Sequence, residues 1–136
     1  MNTTQQMTSL QVKSSRPYDQ MVADTTVALK AQGFGVLTQI DMQATLKQKL
    51  NVDFRRYIIL GACNPPLAHR AMSATLDAGL LLPCNVVVYE EGDGSVVTVQ
   101  DPILMMQVID TPLLDEIARE ARARLEKVIG GLSEPV

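Results

Sequence analysis

The apolar positions of this chain switch repeatedly between a spacing of two and a spacing near 3.6, which are the periods of strands and helices. Leu10 and Val12 alternate with polar neighbours and predict a first strand over 7–13, behind a loose tail at 1–6. Met21, Val22, Thr25, Ala28 and Leu29 then recur at helical spacing over 18–32, after Pro17 and before Gly33. Proline suits a helix start and glycine suits the left-handed residue beyond its end. Phe34, Val36, Thr38 and Ile40 alternate, so 34–40 reads as a second strand with those four on one face. Asp41 is a good N-cap for a short helix carrying Met42, Leu46 and Leu50, closed by Asn51.

The third strand, 54–62, is apolar at every position from Tyr57 to Leu60. Strands with that pattern are covered on both faces. A chain this short has helices enough for one face, so the other is expected to meet a second subunit. A third helix is expected over 65–77 with Ala68, Met72, Thr75 and Leu76 inward, ended by Gly79. Val86 to Tyr89 reads as a strand, Glu91-Gly-Asp-Gly94 as a hairpin turn, and 95–100 as the returning strand. The apolar segment 103–109 suggests a short helical turn and a link. Thr111-Pro112 opens the last helix, whose inward stripe is Leu114, Ile117, Ala118, Ala121, Leu125, Val128 and Ile129, with Gly130-Gly131 as its stop. The order β-α-β-α-β-α-β-β-α specifies an α+β fold: two layers, a mixed sheet of about five strands, and helices on one face.

Composition narrows the function classes. At 136 residues with 46% hydrophobic content, the sequence is expected to be one domain, 1–136, with its own core. Net charge is −3 and the twelve basic residues are scattered, so no phosphate-binding face and no nucleic-acid partner are expected. No apolar run approaches the roughly 20 residues of a membrane span, and the polar start lacks a signal-peptide pattern. The expected location is therefore cytoplasmic, where two cysteines remain thiols. Phosphate loops, nucleophile elbows and paired-histidine zinc motifs are all missing from the sequence, and no cofactor is expected.

Reactive residue types concentrate in one stretch, Gly61-Ala-Cys63-Asn64-Pro65-Pro66-Leu-Ala-His69, echoed after a helix by Cys84-Asn85. Cys63 sits between a strand and a helix N-terminus, where the helix dipole favours a thiolate. His69 follows within two turns, so the pair outlines an activated nucleophile and its base. Against this, Pro65 and Pro66 remove two of the helix's free N–H donors and weaken any anion site. Cysteine at a strand end is also commonly a small buried hydrophobe. Two cysteines and one histidine match no standard zinc spacing, so no metal site is expected. Met105-Met106 would suit only a soft metal such as Cu(I), and a methionine pair in an apolar link is more often core.

Taken together, Gly33-Phe34, the segment 40–50, the block Gly61-Ala-Cys-Asn-Pro-Pro-Leu-Ala-His-Arg-Ala71 and the block Gly79-Leu-Leu-Leu-Pro-Cys-Asn-Val86 resemble the domain of unknown function 302 family over 9–132. The resemblance implies a compact α+β fold and a homodimer, and no established activity. Three functional expectations follow. The first is a dimeric binding or sensing domain with a small-molecule ligand at Cys63, Asn64, His69, Cys84 and Asn85. The second is a thiol-dependent or sulfur-transfer enzyme with Cys63 as nucleophile and His69 as its partner. The third is a structural module in which the asparagines only satisfy backbone groups.

Overall fold

A computed structural model describes residues 9–109 and 111–133; the expected tail 1–6 and the first two positions of the expected first strand lie outside them. The elements are β1 (Ser9–Ser14), α1 (Tyr18–Ala31), β2 (Gly35–Asp41), α2 (Met42–Leu50), β3 (Tyr57–Cys63), α3 (Pro65–Ala74), a 3₁₀ segment (Leu76–Leu81), β4 (Cys84–Glu91), β5 (Gly94–Gln100), α4 (Pro102–Met106) and α5 (Pro112–Leu132). The fold is α+β, as the alternation of periods required.

The five strands lie in the order β1-β5-β4-β3-β2. All four pairings are antiparallel, so the expected mixed sheet is corrected to an antiparallel one. Val12, Leu60, Ala62, Val86, Val88, Val97 and Val99 point to one face and pack with Met21 and Leu29 of α1 and Leu125, Val128 and Leu132 of α5. A second cluster joins Leu67 and Ala71 of α3 to Met106 of α4 and Leu114, Ile117, Ala118 and Ala121 of α5. The helical layer on one face is thus built by α1, α3, α4 and α5. The alternate positions Tyr57, Ile59, Val87 and Tyr89 face the other way and are half-buried. Tyr57 and Tyr89 are cross-strand partners whose rings stack 5.7 Å apart.

Four expectations change, each for a tertiary reason. In β2 the register slips between Val36 and Thr38, leaving Leu37 as the extra residue of a β-bulge. Val36 therefore packs on the core while Thr38 and Ile40 pair with the outward positions Gly61 and Ile59, so the four do not share a face. α3 is shorter than expected, because Thr75 is extended (ψ 131°) and its hydroxyl caps the 3₁₀ segment instead. Its inward residues are Leu67, Ala68 and Ala71; Met72 and Leu76 are exposed, and Thr75 is half-buried. Finally, α5 runs through Gly130 and Gly131 to a buried Leu132. Burial of that leucine outweighs the roughly 1 kcal/mol that each helical glycine costs.

Candidate functional site

The corner between β3 and α3 has the expected local construction. Asn64 is the N-cap of α3, and Pro65 and Pro66 fill the first two helical positions. The first available donor is then Leu67 N–H, and Asn64 Oδ1 accepts it at 3.2 Å. Asn64 is buried, and its Nδ2 lies 3.0 Å from where a Cβ on Gly33 would stand. Gly33 has φ +84°; its N–H donates to Lys30 O and Phe34 N–H donates back to Leu29 O at 2.9 Å, closing α1 with a Schellman motif. Gly33 thus meets two demands at once, a left-handed backbone and room for the Asn64 amide.

Beside this corner is a cavity of about 30 Å³, walled by Phe34, Leu67, Met106, Ala118 and both cysteines. Cys84 is the first residue of β4, on the core face of the sheet, with Ala62 as its cross-strand partner. It is buried; Cys63, one residue beyond Ala62 at the end of β3, is half-buried. Burial raises the pKa of the Cys63 thiol. Burial, and secondarily the neighbouring Cys63, pushes Cys84 up to about 11. Both thiols are therefore neutral at neutral pH. This reverses the expectation of a thiolate stabilised at a helix N-terminus, because desolvation outweighs a helix end that has lost two donors to proline.

The expected site residues divide. Cys63, Asn64 and Cys84 all line the cavity. His69 does not: it is exposed and lines a separate depression with Arg70, Ser73, Leu113 and Ile117. Its position on α3 lies off the inward stripe of Leu67, Ala68 and Ala71. Asn85 is exposed on the outward face of β4 opposite Gly61, since successive strand residues alternate and Cys84 points inward.

Sequence reasoning missed the groups that brace the cavity. Glu120 accepts from Arg70 Nη1 at 3.1 Å and from Arg124 Nη2 at 3.2 Å. Hydrogen bonds from Arg70 first, then Arg124, hold its carboxyl below the usual glutamate range. Arg124 Nη1 also donates to Gln32 O at 3.2 Å, so α3, α5 and the end of α1 are tied together. In the sequence, Glu120 and Arg124 show the i,i+4 spacing of a helical ion pair, and Asp101 stands at an element boundary where capping is expected. Asp101, buried, accepts from Ile103 N–H at 2.9 Å and pairs with Arg122 at 2.8 Å, which fixes α4 and with it the Met106 wall. Among the described residues no group of three or more His, Cys, Asp or Glu side chains is placed to hold a metal ion. No described helix is long and apolar enough to cross a membrane.

The family model described as "Domain of unknown function DUF302" matches residues 10–132. The chain belongs to the DUF302 family. A solved structure of an uncharacterized conserved DUF302 protein from Bacillus stearothermophilus is similar to it, with 31% sequence identity and a TM-score of 0.84. That match covers 91% of this chain and 97% of the other. A comparison with curated proteins finds no match. The DUF302 description assigns no activity, so the functional reading has to come from the site.

Proposed function

We propose that this DUF302 chain is a cytoplasmic, homodimeric binding or sensing domain whose ligand site is the cavity between Cys63 and Cys84. The observation that carries this reading is the convergence of Cys63, Asn64 and Cys84, from two sequence blocks, on one void. A purely structural module would need the Asn64 cap but no void beside Cys63. The thiol-enzyme alternative requires a base within hydrogen-bond reach of the thiol. Its only histidine lies outside the cavity, and burial raises rather than lowers the pKa of Cys63.

The dimer reading rests on the outward sheet face, where Ile40 is 46% exposed and Tyr57, Ile59, Val87 and Tyr89 are half-buried. A sheet with apolar residues on both faces is satisfied by packing a second sheet on the free one. The cytoplasmic assignment follows the two free thiols, which persist in a reducing compartment.

Ala118→Val tests the link between the cavity and the thiol by filling the void from the α5 side. Iodoacetamide is expected to alkylate Cys63 of the folded wild type, and to do so more slowly in the filled variant. Equal rates in the two folded proteins would detach Cys63 from the cavity and overturn the reading.

A further inference from the structure

The depression that holds His69 differs in kind from the cysteine cavity. It is open, has a volume of about 270 Å³, and is lined by His69, Arg70, Ser73 and Ala74 from α3 and by Leu113 and Ile117 from α5. Side chains three and four apart on a helix are neighbours, so Ser73 stands beside both Arg70 and His69. The Ser73 hydroxyl and the His69 ring make no hydrogen bond among the described residues. Arg70 spends only Nη1, on Glu120 Oε1 at 3.1 Å. Arg124 shares that same carboxylate, so these three side chains carry an excess of positive charge. None of the described residues lining the depression is a carboxylate. The α5 side is apolar instead, and its Leu113 is 51% exposed.

We propose that this depression is a second ligand site, independent of the cysteine cavity, for a small carboxylate with an apolar body. Its volume falls just below the roughly 300–1,000 Å³ of small-molecule pockets, which suits an acid of a few carbons. A guanidinium carries several N–H donors in a planar fork that fits a carboxylate. Glu120 takes one of them, and the rest of the fork is left for the ligand. The Ser73 hydroxyl and a ring N–H of His69 supply further donors from the same helix. Leu113 and Ile117 meet the hydrocarbon part, and covering the exposed leucine removes apolar surface from water on both partners. Inorganic phosphate would use the same donors but gain nothing from Leu113. An uncharged alcohol would cover Leu113 but gain no charge-assisted bond from Arg70. The step is binding alone; no covalent bond forms or breaks.

His69 is the only histidine of the chain, so its ring C–H signal in a proton–carbon NMR spectrum reports on this depression alone. The test titrates the full-length protein with hexanoate, hexanol and inorganic phosphate in turn, at constant pH and ionic strength. Hexanoate is expected to move the His69 signal saturably, and hexanol and phosphate to bind far more weakly. Arg70→Gln should weaken hexanoate binding roughly tenfold or more, the loss of a hydrogen bond to a charged group. Leu113→Asn should weaken it several-fold, with circular dichroism confirming that each variant is folded. Leu113 is exposed and takes part in no ion pair, so that variant keeps the test decisive even if Arg70→Gln fails to fold. A His69 signal indifferent to hexanoate overturns the proposal. So does hexanol or phosphate binding as tightly as hexanoate, or a folded variant of either kind that binds hexanoate as the wild type does.

Discussion

Asn64 shows how one side chain serves structure and site together. Its carbonyl caps α3 at the first N–H that the two prolines leave free, and its amide lies against Gly33 at the end of α1. Asn64→Ala should therefore cost about 1–2 kcal/mol in urea unfolding. Asn64→Asp, which keeps the acceptor, should cost less. The buried thiol of Cys84 gives a pH signature. Its pKa rises from the ordinary 9.0 to about 11 on folding, so between those values the folded chain keeps a proton that the unfolded chain has lost. Stability then falls as pH rises through that window, by roughly 2–3 kcal/mol from this group. Unfolding curves at pH 9 and pH 11 should show this loss in the wild type and a smaller one in Cys84→Ala.

At the scale of elements, what was legible in the sequence is what local chemistry decides. Cys-Asn-Pro-Pro after an apolar run specifies strand, cap and helix within a few residues, and it forms as read. The Gly92-Asp93 hairpin turn, with Gly92 at φ +58°, was equally local. The errors fell where distant parts of the chain decide. The stripe assigned to 65–77 assumed one uninterrupted helix, and the extended Thr75 breaks it before Leu76. The bulge at Leu37 has no signal in the β2 alternation; it appears only against β3. Likewise, Cys63 and Cys84 could be guessed as neighbours, but the Met106 and Ala118 walls come from α4 and α5, which no spacing connects to them. His69 misled because closeness along the chain is not closeness in space: it is exposed and lines a depression separate from the cavity of Cys63. Gly61 tests the β2–β3–β4 packing directly. A methyl group there would run into Thr38 Oγ1 and come within 2.9 Å of Pro83 Cγ. Gly61→Ala should destabilise the fold by about 1–3 kcal/mol in denaturant unfolding, as overpacking does.

For the whole molecule, the helices cover one face of the sheet and leave apolar and aromatic side chains on the other. The dimer proposed for this DUF302 chain would bury that face. A charge placed in the middle of it, Ile59→Asp, should halve the mass seen by sedimentation equilibrium while far-UV circular dichroism stays unchanged; a variant that remains dimeric would move the interface elsewhere. The central claim concerns the two cysteines that line one cavity: Cys63 is half-buried and Cys84 is sealed. Mass spectrometry of the folded, reduced protein after iodoacetamide tests it most directly. One label per chain, on Cys63, is expected before unfolding and a second, on Cys84, after it. A folded chain that takes no label until it unfolds, or takes both together, would contradict the account.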